Sequence, residues 1–97
     1  MALGTDPVER ALCELTDACW MIGNANAAID RGYLASADQL RAEARARAQA
    51  AWQRAPDALT ALLPARATTL AAGDLDDWSC LVDDIASALV RHLAQRP

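Results

Sequence analysis

Apolar residues in the first third of the chain recur at intervals that alternate between four and three. The series is Val8, Leu12, Leu15, Cys19, Ile22 and Ile29, with Asn26 in the same register. This spacing places the side chains on one face of an α-helix. Asp6 suits the N-cap, Pro7 the first helical position and Gly32 the turn that ends the helix. The pattern therefore predicts one long helix over residues 7–30.

A second helical pattern begins after Ser36, which has Gln39 three residues later as in a capping box. Its inner positions are mostly alanine: Ala37, Leu40, Ala44, Ala48, Ala51 and Ala55, with Trp52 at the edge. Small residues on this face allow a neighbouring helix to approach closely. We expect the second helix to end at Pro56, which either closes it or opens the next segment.

The rest of the chain predicts a broken third segment and a fourth helix. Residues 56–72 carry four leucines, and Pro64 must kink or split any helix there. The fourth helix is expected to begin near Asp74 to Asp76. Its inward side chains are Leu75, Trp78, Val82, Ile85, Leu89 and Leu93. Because short connections join antiparallel neighbours, the sequence predicts an all-α fold, a single-domain up-down bundle of about four helices over residues 1–97.

Two ten-residue segments resemble each other where one helix gives way to the next. RGYLASADQL (31–40) aligns with AGDLDDWSCL (72–81), so that Gly32 matches Gly73 and Leu34 matches Leu75. The pair is similar to the turns of tetratricopeptide-type hairpins. We interpret it as the same turn chemistry used twice and assign no family.

Composition and charge narrow the classes of partner. Apolar residues make up 54% of the 97 residues, and the net charge is −4, with arginine as the only basic residue. A small acidic chain is poorly suited to nucleic acid or anionic membranes. The odd number of cysteines fits a reducing compartment, and the amino-terminal residues lack a signal-peptide pattern. We therefore expect a cytoplasmic protein that binds neither nucleic acid nor membrane.

The densest polar stretch is AGDLDDWSCLVDDI, residues 72–85. We expect Asp74, Asp76 and Asp77 to lie in the first turn of the fourth helix, where carboxylates stabilise the positive end of the helix dipole. An acidic face for a basic partner is predicted at Asp76, Asp77, Asp83 and Asp84. Cys80 should point to solvent among these four carboxylates, which disfavour its thiolate form, so a reactive cysteine is not indicated.

The string DDWSCLVDDI resembles the Asp-Ser-Leu stretch at which acyl and peptidyl carrier proteins accept phosphopantetheine. Trp78 stands before Ser79, where those proteins have aspartate. The resemblance implies a carrier-type accessory protein modified on Ser79. It remains an alternative to the leading interpretation, which involves no cofactor.

Residues suited to catalysis or metal binding are isolated from one another. His92 is the single histidine and has no partners at metal-ligand spacing, so no metal site is predicted. The second helix carries an arginine face, which we expect to pair with the acidic fourth helix, either within one molecule or between two: Arg41, Arg45, Arg47 and Arg54. No glycine-rich phosphate loop or Ser-His-Asp set can be assembled. We therefore expect that the protein is not an enzyme.

The first helix has an outer side that is unusually apolar. ACWMIGNANAAI, residues 18–29, contains no charged residue. A helical wheel places Trp20 about 140° from the centre of the inner face. An outward apolar strip is predicted at Cys13, Trp20, Met21, Asn24 and Ala27. Gly23 costs about 1 kcal/mol relative to alanine inside a helix, which indicates close packing at that point.

These features favour a protein that acts by binding another protein or itself, most simply as a homodimer through the strip. An alternative is a small acidic inhibitor or mimic, of the phage or defence-system type, that docks its aspartates on a basic groove. Salt separates the two, since binding through the aspartates would weaken steeply with ionic strength and binding through Trp20 would not.

Overall fold

In the computed structural model, residues 6–95 are described and form five α-helices. α1 spans Pro7–Asp30, α2 Leu34–Arg54, α3 Pro56–Leu62, α4 Ala67–Ala71 and α5 Trp78–Ala94, with a 3₁₀ turn at Pro64–Arg66 between α3 and α4. No strand is present in this range, so the predicted all-α class is confirmed. No helix among these five has a stretch long and apolar enough to cross a bilayer. Residues 1–5, which carry part of the segment that lacks a signal-peptide pattern, lie outside the described residues.

α1 begins and ends where its pattern predicts. Asp6 Oδ1 accepts hydrogen bonds from the backbone N–H groups of Val8 (3.0 Å) and Glu9 (3.5 Å), which satisfies two donors that the first helical turn leaves free. After Asp30 the chain turns at Gly32, which has φ of 84°. The fully buried side chains of α1 are Ala11, Leu12, Leu15, Ala18, Cys19 and Ala25.

α2 starts earlier than predicted and without the expected cap. It begins at Leu34, so Ser36 lies inside the helix, and the capping position belongs to Tyr33, whose side chain makes no capping bond. The hydrogen-bonded turn at Gly32 already directs the chain into the helix, so a side-chain cap at Ser36 has no free N–H groups to serve. The predicted alanine face is buried at Ala37, Ala44, Ala48 and Ala51, together with Trp52.

The third segment is split at Pro64, as its sequence predicts. Pro64 has no N–H to donate and opens a 3₁₀ turn, which separates the two turns of α3 from the short α4. These short elements still contribute apolar side chains to the core through Leu59, Leu63 and Leu70. They take the place of one continuous third helix, so the bundle has five α-helices where about four were predicted.

The start of α5 differs from the prediction. The helix begins at Trp78, so Asp74, Asp76 and Asp77 precede it and do not occupy its first turn. Asp74 instead accepts a hydrogen bond from the backbone N–H of Asp76 (3.1 Å), a local turn that competes with helix formation. Leu93, expected to face inward, is 43% exposed because it lies about 80° around the helix from the buried Ile85.

α1 is the central helix of the bundle, and α2 and α5 both run antiparallel to it. On the α2 side, Arg41 reaches Asn26 (2.8 Å) near one end of α1 and Arg54 reaches Glu14 (3.0 Å) near the other. α2 packs along α1 over most of its length. α1 also packs against α5, and the side chains of Cys13, Asp17, Trp20, Asn24 and Ala27 stay exposed.

Candidate interaction surfaces

The outer face of α1 carries a continuous line of exposed side chains. We call this line the Trp20 strip, and it consists of Cys13, Asp17, Trp20, Asn24 and Ala27, all exposed. Trp20 is 54% exposed, although it is one of the largest side chains in the protein. Met21, which the sequence placed on the same strip, is half-buried and packs against the core.

Trp78 packs against α1 beside the Trp20 strip. An alanine Cβ at position 23 would lie 3.0 Å from Trp78 Cη2, so the absence of a side chain at Gly23 makes room for the indole. The centroids of the Trp20 and Trp78 rings are 5.8 Å apart with planes tilted by 53°, a favourable geometry for an aromatic pair. Gly23 thus has the close-packing role that its place inside a helix indicates, and its neighbour is an aromatic ring.

The carboxyl end of α5 and the amino end of α1 are joined by a side-chain hydrogen bond. His92 Nε2 donates to Asp6 Oδ2 at 2.6 Å, and the same carboxylate caps α1 through its other oxygen. The hydrogen bond from His92 lowers the pKa of Asp6 below its usual range, outweighing partial burial, which raises it. Together with the contact of Trp78 on Gly23, this pair fixes α5 along α1 from Asp6 to Gly23.

The four aspartates of the predicted acidic face do not form an uninterrupted anionic surface. Arg66 Nε donates to Asp84 Oδ2 at 2.9 Å, and Arg66 Nη1 lies 4.0 Å from Asp77 Oδ2. Asp76 and Asp83 are exposed on either side. One arginine from the 3₁₀ turn therefore offsets part of the charge, and sequence spacing could not show this because Arg66 lies 18 residues before Asp84.

The arginine face of α2 does not pair with α5 as expected. Within the described residues, Arg47 pairs with Glu43 (3.1 Å) on the same helix, and Arg54 pairs with Glu14 (3.0 Å) of α1. The aliphatic stem of Arg45 packs over Gly73. α2 and α5 each pack against α1, and the expected pairing within one molecule is absent among residues 6–95, while pairing between two molecules stays a prediction.

The three cysteines lie in different surroundings and are all free. Burial raises the pKa of Cys19 to about 11. Partial burial, followed by the nearby carboxylates of Glu9, Asp17 and Glu14, raises the pKa of the exposed Cys13. Cys80 is exposed, as its helical position predicts, and Ser79 beside it is also exposed in the first turn of α5.

Further exposed apolar residues gather at the two ends of the bundle. At the α1–α2 turn, Tyr33 and Leu34 are each 62% exposed and Ile29 is 38% exposed. At the end of α5, Val90 is 67% exposed, next to the exposed Leu93. The sequence did not predict either group. A helical wheel shows which side of one helix is apolar, but it does not show where the neighbouring helices end and leave that side exposed.

Two arginines line a pocket between the 3₁₀ turn and α5, and both are hydrogen-bonded within the protein. The pocket is open, has a volume of about 380 Å³ and includes Arg66, Ser87 and Arg91 in its lining. Arg66 is engaged by Asp84, and Arg91 donates to the carbonyl of Leu62 (2.9 Å). Among residues 6–95, no three His, Cys, Asp or Glu side chains cluster as metal ligands.

Comparison with known protein families, with curated proteins and with solved structures finds no match for this chain.

Proposed function

We propose that this protein is a non-enzymatic interaction module that self-associates through the Trp20 strip and serves as an adaptor or accessory subunit in the cytoplasm. The observation that carries the proposal is Trp20, which is 54% exposed in the middle of a line of exposed side chains on α1 although Trp78 packs beside it. Tryptophan is among the residues most enriched at the centres of protein interfaces. The three free cysteines fit a reducing compartment.

The neighbourhood of Trp20 supports the same function. Trp78 holds the Trp20 ring from one side, so a partner would meet an indole whose freedom is already restricted. Pre-ordering a side chain lowers the entropy lost on binding. Around it, Cys13, Asn24 and Ala27 are small and uncharged, which allows close approach of another helix, and Asp17 is the one charged side chain of the strip.

The acidic surface supports the alternative of a mimic or inhibitor less well. Asp84 is held by Arg66, and Asp77 lies within 4.0 Å of the same guanidinium. A basic partner would have to compete with this arginine for two of the four carboxylates. Trp20 stays 54% exposed beside its internal partner Trp78, so a partner protein can reach it without displacing that contact, and the strip is the better-supported surface.

Light scattering on the wild type and on Trp20→Glu tests the proposal. The wild type should reach twice the monomer mass as concentration rises, and Trp20→Glu should stay monomeric with its helical circular dichroism retained. Ala42→Glu, which adds the same charge at an exposed position of α2, is the matched control and should associate like the wild type. A wild type that remains monomeric at high concentration would contradict self-association.

A further inference from the structure

We propose that the pocket between the 3₁₀ turn and α5 binds a small organic acid, a molecule with one carboxylate and an apolar body. The pocket is open to solvent and has a volume of about 380 Å³, which lies within the range of small-molecule sites. It is a different surface from the Trp20 strip. The proposal therefore goes beyond self-association and does not depend on it.

α5 supplies a polar wall of the pocket. Asp84, Ser87 and Arg91 all line it, and their spacing of three and four residues places them within about 60° of one another around the helix. Trp78, which packs on Gly23 of α1, lies about 120° or more around α5 from each of them. The pocket and the contact with α1 are therefore on different sides of α5.

A second wall of the pocket is apolar. It consists of residues 62–65, Leu-Leu-Pro-Ala, where Pro64 ends α3 and opens the 3₁₀ turn. Leu63 is 4% exposed and belongs to the core, whereas Pro64 and Ala65 are exposed. The apolar body of a ligand would lie on this wall, where its contact removes apolar surface from water on both sides.

Two guanidinium groups line the pocket, and each is held in place by one hydrogen bond. Arg91 Nη2 donates to the Leu62 carbonyl oxygen at 2.9 Å, and Arg66 Nε donates to Asp84 Oδ2 at 2.9 Å. An arginine side chain carries five N–H donors, so most of the donors remain for a ligand. Because both side chains are already ordered, binding costs less conformational entropy than it would with free arginines.

The charges in the pocket match a single carboxylate. Arg91 forms no ion pair with any residue from 6 to 95, since its acceptor is a neutral carbonyl group. Arg66 is paired with Asp84, so two arginines and one aspartate give the pocket a net charge of +1 in a chain of net charge −4. Arginine binds carboxylates through charge-assisted hydrogen bonds. A dianion would leave an excess negative charge beside Asp84.

The elements around the pocket favour a free acid over the carboxyl terminus of a peptide. They are α3, the 3₁₀ turn and α5, and none of them offers a strand edge to which an extended peptide could add. A peptide would be held only by its last residue, whereas a small acid places its whole body in the pocket.

An NMR titration with 4-phenylbutyrate tests the ligand class. The backbone amide signals of Arg66, Ser87 and Arg91 should shift together as the acid is added. 4-Phenylbutyramide has the same body without the charge and should bind at least about tenfold more weakly, because hydrogen bonds to charged groups are the stronger ones. The blocked peptide Ac-Gly-Gly-Leu, with a free carboxyl terminus, should also bind more weakly than the acid.

Three results of this titration would overturn the proposal. The first is that 4-phenylbutyrate shifts none of the three signals. The second is that the amide binds as well as the acid, which would exclude recognition of a carboxylate. The third is tighter binding of the peptide, which would identify the occupant as a protein carboxyl terminus.

Charge removal tests Arg91 as the anchor of the carboxylate. Arg91→Gln should raise the dissociation constant of 4-phenylbutyrate at least about tenfold. Arg31→Gln is the matched control, since Arg31 is exposed, forms no ion pair with any residue from 6 to 95 and does not line the pocket. Equal weakening by both variants would mean that total charge governs binding, and the site would be excluded.

Charge addition gives a second test at exposed positions, where folding is not at risk. Ser87→Glu places a second carboxylate in the pocket and should weaken binding of 4-phenylbutyrate at least about tenfold. Ala86→Glu adds the same charge about 100° away around α5 and should bind like the wild type. Circular dichroism should show the same helical content for both variants. Equal binding by the two would overturn the assignment of the site to this pocket.

Discussion

The turns at Gly32 and Gly73 share the same backbone conformation and hydrogen bonds, but the first is exposed to solvent and the second is buried. In each, the residue after the glycine donates to a carbonyl five residues back, Tyr33 to Ala28 and Asp74 to Thr69, both at 2.8 Å. The glycine N–H groups bond three residues back at 2.9 Å and 3.0 Å, and the φ angles are 84° and 76°. Both are Schellman-type helix ends, which use glycine because it adopts positive φ without steric cost.

The surroundings of the two glycines differ sharply. A Cβ at Gly73 would lie 2.6 Å from Arg45 Cγ, whereas a Cβ at Gly32 would meet nothing within 4 Å. Two residues after each glycine stands a leucine: Leu75 is 3% exposed and Leu34 is 62% exposed. The same type of turn therefore ends a helix in the protein interior at Gly73 and at a solvent-exposed end of the bundle at Gly32.

The matched leucines should show the largest difference. Leu75→Ala should lower the free energy of unfolding by about 2–4 kcal/mol, because it leaves a cavity among buried side chains. Leu34→Ala should change the stability of the monomer by less than about 0.5 kcal/mol, since its side chain is already in water. Urea denaturation at a concentration where the protein is monomeric measures both, and equal losses would contradict the contrast.

The glycines themselves should differ by a smaller amount. Gly32→Ala should cost about 1 kcal/mol, the penalty of positive φ for a residue with a Cβ. Gly73→Ala should cost about 2 kcal/mol, since the same penalty is joined by the contact with Arg45. Thermal unfolding of the two variants measures the difference. Equal decreases in melting temperature would mean that backbone conformation alone sets the cost of alanine at both positions.

Gly23 sharpens the comparison, because it lies inside α1 and its role is space for Trp78. Gly23→Ala gains up to about 1 kcal/mol in helix propensity but forces the Trp78 indole to move, so a net loss of about 0.5 kcal/mol is expected. In a Trp78→Leu background the same change should become stabilising. A double-mutant cycle by chemical denaturation measures this reversal, and additive effects would exclude the contact as the reason for glycine.

Local chemistry was enough to predict most of the helices. The bounds of α1 and the break at Pro64 follow from caps, glycine and proline, which act within a few residues. The starts of α2 and α5 were wrong by two to four residues. In both cases the preceding turn had already determined the direction of the chain, and this outweighed the capping preference of Ser36 and of the aspartates.

The candidate surfaces were predictable only in part. The helical wheel predicted that Trp20 points away from the buried face of α1, because the direction of a side chain depends only on residue spacing within one helix. It did not find that Arg66 binds Asp84 or that Tyr33 and Val90 are exposed. Those facts depend on which elements are neighbours and how far each extends.

The sequence by itself determined the helical class, the main caps, both glycine turns and the outward position of Trp20, because each depends on interactions between residues close together in the chain. The tertiary structure alone decided that Leu75 is buried and Leu34 exposed, that Gly23 receives Trp78, and that the acidic residues meet Arg66. The physical reason is that burial and ion pairing depend on contacts between helices. These contacts are set by the packing of the whole core, while hydrogen bonds at a helix end are satisfied within one turn.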